Sequence, residues 1–68
     1  MTKDERNKLA ADGVLVLRTA SDKKGWRIRQ YTLAGGWKNF DDTVFFTRDE
    51  ALKHLNHLIV NLNARSDD

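Results

Sequence analysis

The residue types that most often carry chemistry are sparse in this chain. Its two histidines, His54 and His57, are three residues apart, so on a helix they lie close enough to hold a metal ion together with a carboxylate. No third ligand at a useful spacing is evident, which favours ordinary helix-surface histidines. The adjacent Asp41 and Asp42 could be read as an acid pair. Neighbouring residues of one loop rarely converge on one atom, so a turn is the better interpretation.

No catalytic group can be assembled from the remaining residues. The chain has no cysteine, and its few serines and threonines fall at expected turns and helix caps. The pair Gly35-Gly36 lacks the lysine and the following helix of a phosphate-binding loop. We therefore expect a protein that is not an enzyme and that holds no metal or cofactor.

The segment Trp26-Arg27-Ile28-Arg29 alternates between apolar and charged residues, which is the pattern of a half-buried strand. Burying two unpaired arginines would cost too much free energy. We therefore expect Trp26 and Ile28 to face the core, and Arg27, Arg29 and Tyr31 to face solvent.

The preceding strand is expected to contribute a further arginine to the same surface. A four-residue turn over residues 21–24 would place Arg18 opposite Arg27, with two valines opposite Arg29 and Tyr31. We call the surface formed by Arg18, Arg27, Arg29 and Tyr31 the arginine face. Its side chains could contact phosphates and base edges, although arginine and tyrosine are also common on a solvated sheet surface.

The elements that position these residues can be predicted from local patterns. Residues 14–19 and 26–33 are expected to form a hairpin, and the β-branched and aromatic residues 43–46 a third strand. Thr47 and Glu50 have the spacing of a capping box before a helix over residues 48–63. The apolar stripe of this helix needs a partner, and one side of the sheet is the only surface large enough. The predicted fold is α+β, a three-stranded antiparallel sheet packed on one C-terminal helix (β-β-β-α).

Length and composition limit the organisation of the chain. The 68 residues are enough for one small domain, expected at 13–63, with a flexible or short helical arm at 1–12 and a disordered tail at 64–68. Small unstapled domains often gain stability by dimerising, so a homodimer stays open. There is no apolar run long enough for a membrane span and no signal-peptide core, so we expect a cytoplasmic protein.

Several of these segments resemble a known family. Gly25-Trp26-Arg27-Ile28-Arg29, a turn, and then Phe45-Phe46-Thr47-Arg48-Asp49-Glu50-Ala51 are similar to the arm-type DNA-binding domain of phage and transposon integrases, over roughly residues 13–62. In that family three strands enter the DNA major groove and the helix packs behind them. The resemblance implies that Arg27, Arg29 and Tyr31 contact DNA.

Two kinds of partner are compatible with the sequence. Trp37 and Phe40 fall in an expected loop, where large aromatic residues either fill the core or anchor an interface. The net charge of +2 is small, and Asp41 and Asp42 would repel phosphate near the third strand. These observations favour a protein-interaction module, of the kind that a phage or mobile element uses against a host protein. The alternative is a DNA-binding module that uses the arginine face.

Overall fold

The computed structural model describes residues 1–68 as an α+β fold with two helices and one mixed sheet of four strands. The elements are α1 (Lys3–Ala11), β1 (Val16–Asp22), β2 (Gly25–Thr32), β3 (Gly36–Asn39), α2 (Arg48–Leu62) and β4 (Arg65–Ser66). The strand order is β3-β2-β1-β4, in which the first three strands are antiparallel and β4 is parallel to β1. The α+β class is confirmed, but the sequence did not predict α1 as a packed helix or β4 at all.

The core lies between α2 and one side of the sheet. Leu17 and Ile28 of the sheet and Leu55 of α2 are buried, and further apolar side chains of α2 pack around them: Leu52, Leu58 and Ile59. The Oγ1 atom of Thr47 accepts a hydrogen bond from the Glu50 amide (3.2 Å), as expected for the cap. The return bond from the Glu50 carboxylate is not formed. Packing of the stripe, more than the capping box, therefore holds this helix in place.

The hairpin between β1 and β2 closes more tightly than predicted. Asp22 Oδ1 accepts hydrogen bonds from the amides of Lys24 (2.8 Å) and Gly25 (3.2 Å), so only two residues form the turn. The register consequently differs by two residues from the predicted one, and Arg18 lies opposite Arg29 instead of Arg27. A shift of two residues leaves every side chain on its expected side of the sheet.

The predicted third strand was in the wrong place. A tight turn that contains Gly36 in a left-handed conformation (φ 69°) brings Gly36–Asn39 alongside β2 as β3. Residues 43–46, which have the stronger β propensity, meet the same edge of β2 only near its first residues. They contribute a single bridge, in which Phe45 exchanges two backbone hydrogen bonds with Trp26 (2.7 and 2.8 Å).

The N-terminal arm forms helix α1 of nine residues. Thr2 and Glu5 form a complete capping box, in which Thr2 Oγ1 accepts from the Glu5 amide and the Glu5 carboxylate accepts from the Thr2 amide. This helix contacts β1 and β2 on the side of the sheet opposite α2. Val16, which shares that side with Arg18, is consequently fully buried.

The C-terminal residues 64–68 are ordered along β1, not loose as the sequence suggested. The amides of Arg65 and Asp67 donate to the carbonyls of Leu15 (2.8 Å) and Leu17 (2.9 Å). The Asp68 carboxylate accepts from both the amide (3.0 Å) and the hydroxyl (2.6 Å) of the buried Thr19. These contacts involve residues far apart in sequence, so no local pattern could reveal them.

Neither helix has the length and apolar character that crossing a bilayer would require.

Candidate functional site

The arginine face is assembled from two neighbouring strands. Arg27, Arg29 and Tyr31 alternate along β2, and Arg18 on β1 lies directly opposite Arg29. Because side chains alternate across a strand, all four project from the side of the sheet that α2 does not cover. The structure thus brings together four residues of the site that the sequence predicted.

Trp37 belongs to the same surface, which the sequence did not indicate. In β3 this residue pairs with Tyr31, so its indole lies on the same side of the sheet as the arginines. The Tyr31 and Trp37 rings meet edge to face at 5.3 Å between centroids. The Arg18 guanidinium extends across β2 and its central carbon lies 4.0 Å from the centroid of the Trp37 ring. Trp37 is therefore neither a core residue nor an unoccupied interface anchor, because its ring already contacts Arg18 and Tyr31.

Phe40 does not join this group. It is half-buried against the core on the α2 side, and its amide donates to the Ile28 carbonyl (3.0 Å). Of the two aromatic residues proposed as interface anchors, Phe40 is thus a core residue, and only Trp37 lies next to the arginines.

Helix α1 covers one end of this side of the sheet. The Tyr31 hydroxyl donates a hydrogen bond to Asn7 Oδ1. Tyr31 is only 9% exposed, so the expectation that it faces solvent was wrong, because α1 covers it. The guanidinium carbon of Arg6 lies 5.3 Å from the Tyr31 ring centroid and 5.7 Å from that of Trp37. Arg6 and Asn7 were missed because α1 has almost no apolar stripe. The Thr2–Glu5 spacing, identical to that of Thr47–Glu50, was the signal that could have located this helix.

The charges of the arginine face are only partly compensated. Arg27 Nε lies 2.7 Å from Asp22 Oδ2 in an ion pair. The hydrogen bond from the Lys24 amide, together with the charge of Arg27, holds the pKa of Asp22 below its ordinary value. No carboxylate comes within ion-pair distance of Arg18 or Arg29, although both are half-buried and lie opposite each other. Arg18 and Arg29 thus bring two positive charges without a carboxylate partner to the same side of the sheet.

Asp41, one of the two acidic residues that were expected to interrupt this surface, lies on the other side of the sheet. Asp41 Oδ2 lies 3.3 Å from His54 Nε2 of α2, on the far side of the sheet from the arginines. Asp41 Oδ1 also accepts from the Thr43 amide (3.1 Å) and so stabilises the loop before α2. Asp41 therefore does not compensate the charge of Arg18 and Arg29.

The histidines have other partners. His54 lies beside Asp41 and the Phe45 ring, and the ring of His57 shares a hydrogen bond of 2.7 Å with the Asn61 side chain. No group of three or more histidine, aspartate or glutamate side chains is arranged to hold a metal ion.

Comparisons of this chain with protein-family models, with curated proteins and with solved structures found no match. The resemblance to the arm-type domain of integrases stays a prediction.

Proposed function

We propose that this protein is a small non-catalytic module that binds the phosphate backbone of a nucleic acid on its arginine face. The observation that carries the proposal is the pair Arg18 and Arg29, which lie opposite each other on β1 and β2, are both half-buried, and have no carboxylate within ion-pair distance. A guanidinium binds phosphate with two parallel hydrogen bonds, and partial burial reduces screening by salt.

The distribution of charge supports this function better than the net charge does. Six cations lie on the arginine face or on the nearby side of α1: Lys3, Arg6, Lys8, Arg18, Arg27 and Arg29. Two of them are paired, Arg27 with Asp22 and Arg6 with Asp67 (3.3 Å), which leaves four. These six are half of the twelve lysines and arginines of the chain. A local group of unpaired cations is one feature of a polyanion-binding surface.

The position of Asp41 weakens one argument against nucleic acid. From the sequence, Asp41 and Asp42 were expected to repel phosphate near the predicted third strand. Because Asp41 is turned toward His54 and α2, a phosphate backbone on the arginine face would not meet it.

The proposal is tested by fluorescence anisotropy with a labelled 15-nucleotide DNA at low salt. We expect salt-dependent binding that weakens in Arg18→Gln and Arg29→Gln, which keep a long polar side chain but lose the charge. Arg48→Gln is the matched control, because Arg48 is exposed at the start of α2 and carries the same charge. Equal binding by all four proteins, or no binding by the unsubstituted protein, would rule the function out.

Protein binding, the function favoured by the sequence, is the second candidate, and a different residue supports it. Phe46 is 90% exposed and its neighbour Val44 is 41% exposed, on the segment that leads into α2. An exposed phenylalanine beside a second apolar residue is a common anchor of an interface. In a pull-down, this candidate predicts a defined partner that survives nuclease treatment and is lost in Phe46→Ala. An origin in a phage or mobile element stays a prediction.

A further inference from the structure

We propose that a cleft between α1 and the β2–β3 end of the sheet binds one unpaired nucleotide, so that the preferred nucleic acid is single-stranded. This inference rests on the proposed function, because the nucleotide would belong to the strand held on the arginine face. We call this cleft the α1 cleft. It is open to solvent, has a volume of about 810 Å³, and its polar and aromatic lining comes mainly from Lys3, Arg6, Lys8, Tyr31 and Trp37.

The size of the α1 cleft suits a small ligand. Pockets that bind small molecules commonly enclose about 300–1,000 Å³. The α1 cleft lies in this range, and it is wide open on one side. An open cleft can accept a nucleotide that is still joined to its neighbours in a strand.

The chemistry of the lining matches an aromatic anion. Of its nine residues, three are lysine or arginine, and none is aspartate or glutamate. Arg6 is already paired with Asp67, so Lys3 and Lys8 are the charges available for a phosphate. Tyr31 is only 9% exposed, so the half-buried Trp37 provides the aromatic surface for a base. Base–aromatic stacking is the usual source of affinity for unpaired strands.

The α1 cleft is continuous with the arginine face through Trp37. The same indole that lies under Arg18 on the arginine face also forms part of the cleft wall, within cation–π distance of Arg6. A backbone held by Arg18 and Arg29 could thus place its next base in the cleft. In a duplex the bases are paired and stacked, so none could enter without being flipped out.

The first experiment uses ¹⁵N-labelled protein titrated with uridine 5′-monophosphate, ribose 5-phosphate and uridine. We expect the nucleotide to shift the Trp37 indole signal and to bind more tightly than either fragment. Lys8→Glu should weaken nucleotide binding about fivefold or more, because reversal of an exposed charge removes one attraction and adds one repulsion. Lys53→Glu on the exposed side of α2 carries the same charge change and should leave binding unaltered.

The second experiment compares a 15-nucleotide single strand with the matching duplex. We expect the single strand to bind at least about tenfold more tightly, as expected when one base stacks on an aromatic side chain. Equal affinity for the two forms, or equal binding of ribose 5-phosphate and the nucleotide, would overturn the inference while leaving backbone binding by the arginine face intact. Loss of all oligonucleotide binding would instead overturn the proposed function itself.

Discussion

The Arg18 guanidinium lies over the Trp37 indole, 4.0 Å from the ring centroid, although the two residues belong to strands separated by β2. This contact links the first and third strands across the arginine face. It also holds the positive charge of Arg18 on the same side of the sheet as Arg29.

Trp37→Ala should destabilise the fold although Trp37 is not part of the core. The substitution removes the cation–π contact with Arg18 and the edge contact with Tyr31, each worth about 1 kcal/mol, as well as some buried area. We expect a loss of about 2–3 kcal/mol in the free energy of unfolding, measured by urea denaturation. Phe46→Ala, which truncates an exposed aromatic ring, is the control and should change the free energy by less than about 0.5 kcal/mol. Equal effects of the two changes would show that the contacts of Trp37 contribute nothing.

Leu55→Ala should lower the melting temperature strongly. The Leu55 side chain is fully enclosed between α2 and the sheet, and such truncations cost about 2–5 kcal/mol. A domain of this length has a total stability of only about 3–10 kcal/mol. Val60→Ala removes an apolar side chain of the same helix that is 80% exposed, and it should preserve the melting temperature within a few degrees. Thermal unfolding followed by circular dichroism distinguishes the two variants, and a stable Leu55→Ala protein would contradict the proposed core.

The charge of Asp22 should stabilise the hairpin in a pH-dependent way. Its pKa is lowered in the folded protein, first by the Lys24 amide and also by Arg27. A lowered pKa means that the stabilisation is fully present above the ordinary value of 3.8 and is lost as the pH falls through the folded value. Asp22→Asn, which retains the side-chain oxygen that the turn requires, should therefore lower the urea midpoint at pH 7. The difference from the unsubstituted protein should shrink at pH 2.5, and a difference that is constant with pH would refute the role of the charge.

Asp67 should hold α1 on the sheet. Its carboxylate lies 3.3 Å from Arg6 Nη1, which joins the C-terminal residues to the N-terminal helix. We expect Asp67→Ala to increase amide hydrogen exchange in α1, because this helix has no buried residue of its own. Exchange in α2 should change little. Asp49→Ala, which removes an exposed carboxylate from the first turn of α2, is the control and should leave α1 unaffected.

The parts of the fold that local patterns determine were predictable from the sequence. The alternation of Trp26, Arg27, Ile28 and Arg29 correctly separated the core side of β2 from the arginine side, because complete burial of unpaired arginines would cost too much free energy. The apolar side of α2 and its N-cap residue Thr47 were likewise predicted from the sequence. Both features depend only on residues close together in the chain.

The features that depend on distant contacts were not predictable. β3 forms at Gly36–Asn39 because the tight turn after Thr32 places these residues alongside the second half of β2, whereas Phe45 meets the same edge only at Trp26. The order of residues 64–68 depends on β1 and Thr19. Trp37 could be placed beside the arginines only once β3 was known, so its role in the candidate site was hidden from the sequence.

The most direct test of nucleic-acid binding is the salt dependence of affinity for a single-stranded 15-nucleotide DNA, measured by anisotropy for the unsubstituted protein, Arg29→Gln and Arg48→Gln. If Arg29 contacts a phosphate, its substitution should reduce the steepness of log K against log salt by about 0.7, while Arg48→Gln should leave the slope unchanged. Identical slopes for all three proteins would contradict the claim that the arginine face binds a phosphate backbone.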